Sequence, residues 1–337
     1  KFVTLKTPEH KNSEMGIAHT ILYDLTDEHE VFVCEMGAYS KGGIKLLCDM
    51  AKPTCGIVTG VNEQHLGVFG SGMNLFSAEG GGELVQSLPQ DGFLILNDDS
   101  KQLHELAPWL QLWNSNFANY IWCSAKTEKD FFAKDVVVTK DQLSFTIAEK
   151  NEGEAKVNLP LVGGHNVENI LLAVATASKL GMSMGEIGEA LKDVSAKASA
   201  MTLLEGKNGV EILDSSYTSN PSGVISALDH LKLWGGKKVV VMPSLIELGD
   251  AASEAHKRIG KKIAEVCDLA IITTKECFAD IKEGMYEVEP RTSCEVLFME
   301  SAQAILEKVK GANAILLEGG KESRIQVQLR KMLIEYD

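Results

Sequence analysis

Arginine is nearly missing from these 337 residues: Arg258, Arg291, Arg324 and Arg330 are the full set, and none precedes residue 258. That scarcity limits bidentate grips on phosphate or carboxylate, for which the planar guanidinium is the preferred side chain. Also missing is any run of 18 or more apolar residues, which excludes a membrane-spanning helix. The opening KFVTLKTPEHKNSEMG has no apolar stretch of the signal-peptide kind, so the chain reads as cytoplasmic. No CxxC or paired zinc spacing occurs among the seven cysteines (34, 48, 55, 123, 267, 277 and 294), and they read as buried thiols. No GxGxxG opens a helix, which argues against a dehydrogenase. Positive charge is in deficit, with 33 basic against 47 acidic side chains and a net charge of -14. A chain of that sign repels a nucleic-acid backbone, so nucleic acid is excluded as a partner.

What is present is an ordinary globular composition, 45% apolar and 24% charged, long enough for two domains. Strand-like runs alternate with helix-period segments throughout, the pattern of an α/β protein with largely parallel sheets. Strands are expected at 2–6, 30–35, 55–60, 92–96 and 120–124, with helices at 16–25, 43–50 and 72–88. A β-rich insert near 136–147 precedes a helix within 163–181. A second α/β unit begins near Met201. Its strands are expected at 210–214, 238–242, 269–273, 294–298 and 314–317, and its helices at 221–233, 252–267 and 301–309. The small-residue stretch VSAKASA suggests a mobile junction at Ala196 to Ala200, dividing the chain into domains 1–198 and 199–337.

Several strand ends carry candidate chemistry, and open α/β sheets place their ligands at such ends. Glu35, in VFVCEMGAYSKGG, is either a Mg²⁺ ligand or a strand-end carboxylate facing water. His65, in TGVNEQHLGVFGS, occupies the next strand end. In GGHNVEN, His165, Asn166 and Asn169 sit at a helix start suited to a base or phosphate, though Asn there serves equally as a cap. DSSYTSNPSG places Asp214, Tyr217 and Asn220 before a helix-starting Pro. PSLIELG is a similar strand-to-loop turn.

In combination these segments resemble the Mur ligases, and among them the MurF branch. TPEHKNSEMG, VCEMGAYSKGGI, IVTGVNEQHLGVFGS, LNDD, GGHNVEN, LDSSYTSNP and MPSLIELG with His256 follow the family order over nearly the whole chain. The resemblance implies a central ATPase-type parallel-sheet domain followed by a Rossmann-like C-terminal domain. It implies an ATP-dependent amide ligase of cell-wall precursor synthesis that works through an acyl phosphate, with ATP and Mg²⁺ as cofactors. Its partners would be a nucleotide and a cell-wall-precursor-like substrate. Carried over, Glu35 and His65 would be catalytic and hold Mg²⁺, His165, Asn166 and Asn169 would touch the nucleotide, and Asp214, Tyr217 and Asn220 would close the cleft from the C-terminal domain.

The departures concern phosphate handling. No GxxxxGK[ST] P-loop occurs in these residues. The family's carbamylated lysine, expected just before a Glu-Leu pair, is absent from SAEGGGELVQ. Ala200 stands for the interdomain arginine, Ser215 for the D-S-Y aspartate, and Gly42-Gly43-Ile44 for Gly-Glu-Ile. An alternative reading is therefore a catalytically degraded relative, kept as a binding or structural subunit with a protein partner.

Overall fold

The computed structural model describes the chain except residues 10, 196–199, 218–219, 290–292, 320–322 and 335–337. The N-terminal half holds strands β1 (Thr4–Lys6), β2 (Val31–Val33), β3 (Cys55–Val58), β4 (Phe93–Asn97), β5 (Tyr120–Ser124), β6 (Phe131–Val138), β7 (Leu143–Glu149) and β8 (Glu154–Leu159). Its helices are α1 (Glu14–His19), α2 (Gly43–Ala51), α3 (Leu66–Phe69), α4 (Gly72–Ala78), α5 (Gly82–Ser87), α6 (Lys101–Trp113), α7 (Asn166–Lys179) and α8 (Met184–Leu191). The C-terminal half holds β9 (Thr202–Glu205), β10 (Glu211–Ser215), β11 (Lys238–Met242), β12 (Leu269–Ile272), β13 (Glu295–Phe298) and β14 (Ala314–Glu318). Between these strands run α9 (Pro221–Leu231), α10 (Ala252–Val266), α11 (Phe278–Tyr286), α12 (Ala302–Lys308) and, last, α13 (Arg324–Ile334).

β1 and β2 form a short parallel pair. A six-stranded sheet runs β3-β4-β5-β6-β7-β8, parallel from β3 to β6 and antiparallel through the hairpins beyond. The second sheet is ordered β13-β12-β11-β14-β10-β9, with β9 alone antiparallel to its neighbour. The two large sheets share no strand. The parallel strands β11, β12 and β14 are near-continuous apolar runs (KVVVM, LAII, AILLE), as strands covered on both faces must be. Four of the five β14 residues are apolar with 1% exposure or less, and each contributes about 1.5–3 kcal/mol if it is a large aliphatic.

Helix starts follow local chemistry. Ser183 and Glu186 form a reciprocal capping box on α8. Asn220 Oδ1 accepts from Gly223 N at 2.9 Å, and Pro221 occupies the first turn of α9. Two sequence expectations differ from the structure. Residues 16–25 do not continue as one α-helix: after α1 the chain widens into a π-helical turn at Thr20–Asp24. There the Thr20 hydroxyl donates back to Gly16 O at 2.9 Å and competes with the regular ladder. Residues 72–88 form two helices, α4 and α5, because Gly81 takes the left-handed conformation at φ 89.

The turn between those helices is packed too tightly for side chains. A Cβ on Gly80 would meet Phe76 O at 2.5 Å, one on Gly81 would meet Val58 Cγ2 at 2.7 Å, and one on Gly82 would meet the Trp113 ring at 2.4 Å. The missing lysine of SAEGGGELVQ is therefore built into the packing. The next residue, Glu83, is 4% exposed. Its two carboxylate oxygens accept from Gly42 N (2.7 Å) and Lys45 N (3.0 Å), the unpaired donors at the start of α2. This buried carboxylate ties the loop after Glu35 to α5.

Glu83→Ala is expected to destabilise the protein by about 2–3 kcal/mol, since two buried N–H donors lose a charged acceptor. Glu83→Gln keeps one acceptor oxygen and should lose about half of that. Urea unfolding followed by far-UV circular dichroism checks both, and an unchanged midpoint for Glu83→Ala would contradict the capping role.

Candidate active site at the seam of two sheets

The C-terminal ends of β3, β4 and β5 meet the start of α7 in a polar network. Asn97, buried at the end of β4, donates to Thr59 O (2.9 Å) and to Glu168 Oε2 (2.8 Å). Asp99 accepts from Ser124 Oγ (2.9 Å) and Ala125 N (2.6 Å). Burial holds the Glu168 carboxyl above its ordinary range, against the Asn97 hydrogen bond, which favours the ionised form. The LNDD segment thus organises the strand ends.

Glu35 lies just beyond β2, exposed, with Oε1 accepting from Asn12 Nδ2 at 3.0 Å and its backbone N–H donating to Thr7 Oγ1 at 3.0 Å. His65 begins α3. Its Nδ1 is 2.7 Å from Glu79 Oε1, its Nε2 is 3.8 Å from Glu247 Oε2, and its ring centroid is 5.9 Å from that of Tyr39, in the segment that follows Glu35. The Glu79 hydrogen bond outweighs burial and holds the imidazole pKa above its ordinary value. Glu79 and Glu247 were not singled out from the sequence. Glu79 sits in the lysine-less stretch and Glu247 in PSLIELG, and neither carries a local signature of contact with His65.

His165 precedes α7, and its Nδ1 lies 3.1 Å from Ser226 Oγ on α9 of the other half. Burial, reinforced by nearby His230, lowers its pKa. Asn166, 6% exposed, spends its amide on Val162 O at 2.9 Å, whereas Asn169, one turn on, is exposed. Asp214 is buried at the edge of β10. Its Oδ1 accepts from Ser216 N and Oγ (3.1 and 2.6 Å), and Arg330 Nε on α13 lies 2.7 Å from Oδ2. Asn220 serves as the cap of α9. Tyr217 lies in the same β10–α9 connection.

The structure thus brings His65 to Glu247 and His165 to Ser226 across the two halves. Among the described residues no three His, Cys, Asp or Glu side chains gather closely enough to cage a metal ion. Mg²⁺ takes few protein ligands, chiefly oxygen, and fills its shell with water and phosphate oxygens, a preference that the exposed Glu35 carboxylate meets. Glu79 accepts from Nδ1, and Nε2 faces the Glu247 carboxylate of the other half. Lys126 and Lys129 are engaged with Asp99 and Asp98.

Residues 1–177 match the Mur ligase middle domain, and residues 201–320 match the Mur ligase glutamate ligase domain. The chain belongs to the Mur ligase family. A UDP-N-acetylmuramoyl-tripeptide--D-alanyl-D-alanine ligase of Synechocystis is 32% identical over 77% of this chain and 53% of its own length. The Bacillus subtilis ligase of the same name is 27% identical over 98% of the chain and 70% of its own length. The chain therefore spans about half of the first relative and more of the second. Among solved structures, Acinetobacter baumannii MurF superposes with a TM-score of 0.84 at 21% identity, covering 98% of this chain and 70% of that one. Thermotoga maritima MurF in complex with ADP gives 0.76 at 21% identity, covering 98% and 73%. These likenesses establish the fold expected from the sequence, a Mur ligase middle domain joined to a Rossmann-like one. Among the described residues no helix is long and apolar enough to cross a membrane.

The half-buried His165 generates a pH prediction. Its folded-state pKa lies below the ordinary 6.5, so folding favours the neutral ring. That contribution is complete above the unfolded pKa and is lost as pH falls from there through the folded pKa. The stability gap between wild type and His165→Gln should therefore shrink as pH falls through the ordinary histidine range near 6.5 and below, read from urea midpoints. A constant gap would show that His165 titrates normally.

Proposed function

We propose that this chain is the middle and C-terminal part of a MurF-like ATP-dependent amide ligase of cell-wall precursor synthesis, divided at residues 198/199. The division falls in the expected junction, of which Ala196 to Ser199 lie outside the described residues. The observation that carries the reading is the pairing of two ordered Mur ligase matches with a histidine, His65, bracketed by carboxylates from both halves.

In this reading Glu35 and His65 would hold Mg²⁺, which would supply positive charge against phosphate oxygens. Glu79 and Glu83 are supports: one orients the His65 ring, the other anchors the loop that follows Glu35. His165 and Asn169 lie toward the nucleotide. Asn166 contributes by fixing the α7 start, since its amide is already committed to Val162 O. Tyr217 and Asn220 bring the C-terminal half to the cleft, with Asp214 holding that strand end through Arg330. Catalysis of this kind rests on holding the acyl phosphate and the incoming amine in line and on screening charge. The substrates are a nucleotide and a UDP-muramoyl-peptide-like carboxylate, and the site of action is the cytoplasm.

The phosphate cradle itself is not among these residues, which contain no GxxxxGK[ST] and leave no room for a lysine at Gly80 to Gly82. The chain by itself is therefore expected to release no ADP from ATP. Joined behind a segment carrying a GxxxxGK[ST] P-loop, it is expected to release ADP when UDP-N-acetylmuramoyl-tripeptide and D-alanyl-D-alanine are both supplied. His65→Ala should lower that rate about 100-fold or more. A folded fusion that stays silent would favour the catalytically degraded alternative. Turnover by the chain alone would place the cradle within it.

A further inference from the structure

The turn joining β6 to β7 reaches across to the C-terminal half. It is locally rigid: Thr139 N donates to Gln142 O at 2.9 Å, and Gln142 N donates back to Thr139 Oγ1 at 3.1 Å. At its tip, Lys140 Nζ is 2.5 Å from Glu211 Oε2 and 4.9 Å from the centroid of the Trp234 ring. The same Glu211 oxygen accepts from Trp234 Nε1 at 2.8 Å. The Lys140 carbonyl accepts from His230 Nε2 at 3.1 Å, and the His230 ring packs edge-on against Trp234 at 5.6 Å. Trp234 and His230 are each 4% exposed.

We propose that the Thr139–Gln142 turn is a strap between the halves, with Lys140 as its plug and Glu211, His230 and Trp234 as an acid-aromatic socket. Three contacts of different kinds converge on one residue: a charge pair, a cation over an aromatic face, and a backbone carbonyl. Each needs a different relative placement, so together they fix position and orientation, which a lone surface ion pair does not. Glu211 is held by the indole N–H of its own half, so the socket keeps its shape and Lys140 meets a preformed acceptor. The contact lies at one side of the seam, with His165 and Ser226 nearby, while Gly67 and Glu247 join the halves elsewhere. Two separated attachments prevent rotation about either one. Lys140 is thus a positioning residue for whatever binds between the halves. The inference does not rest on the ligase reading, because its test is structural.

Lys140→Met keeps the stem and removes the charge, and Lys140→Arg keeps both charge and ring contact. The radius of gyration of each, from small-angle X-ray scattering, is compared with the roughly 20 Å of a compact chain of this length. The solvent exchange of the Trp234 indole proton is followed in parallel by NMR. Lys140→Met, with unchanged circular dichroism, should enlarge the radius and speed indole exchange about tenfold, the effect of losing one charge-assisted contact. Lys140→Arg should match wild type. Glu211→Gln, which keeps an acceptor for the indole, provides a second route to the same opening should Lys140→Met misfold. Wild-type scattering and exchange in both Lys140→Met and Glu211→Gln would overturn the proposal, as would disruption by Lys140→Arg equal to that by Lys140→Met.

Discussion

One backbone hydrogen bond joins the two halves beside the site: Gly67 N donates to Glu247 O at 2.8 Å. The approach is close enough that a Cβ on Gly67 would meet Glu247 O at 3.0 Å, and one on Gly249 would meet Gly67 Cα at 3.0 Å. Glu247 itself is held at φ 65, a left-handed conformation that costs a non-glycine residue about 1–2 kcal/mol. The seam sustains that strain with the backbone bond and with Arg258, whose Nη1 is 3.0 Å from Glu63 Oε1. Because this loop pair is clamped, the Glu247 carboxylate comes to His65 Nε2 while Glu79 fixes Nδ1. The candidate site is therefore a property of the assembled seam and exists in neither half alone.

The same constraint explains which parts of the site were legible in the sequence. Strand ends are local, so Glu35, His65 and Asp214 could be found from apolar runs stopping at polar turns. Helix starts are local as well: Asn220 before Pro221 announced a cap, and the structure shows Asn220 acting as one. Glu79, Glu83, Glu168 and Glu247 were not legible, because a carboxylate in a polar turn or a first helical turn has the same local pattern whether it meets water or a partner distant in sequence. The break between α4 and α5 was written in the GGG of residues 80–82. The apolar spacing on either side outweighed it in a reading by periodicity, and only the contacts with Val58 and Trp113 show why glycine is required there.

Charge accounting connects these details to chemistry. Two of the four arginines are committed to the chain's own carboxylates, Arg258 to Glu63 and Arg330 to Asp214. The position of the family's lysine is closed by packing. What the described residues show is the Mur ligase fold with a histidine set between carboxylates of both halves at the seam.

Amide hydrogen exchange at Gly67 tests this account most directly, since that N–H donates to a carbonyl from the other half. If the halves are clamped as described, the Gly67 amide should exchange about 100-fold or more below the rate of a free amide, its opening requiring separation of the seam. Exchange at the unprotected rate, with neighbouring α4 amides still protected, would mean that the two halves do not meet at His65 in solution.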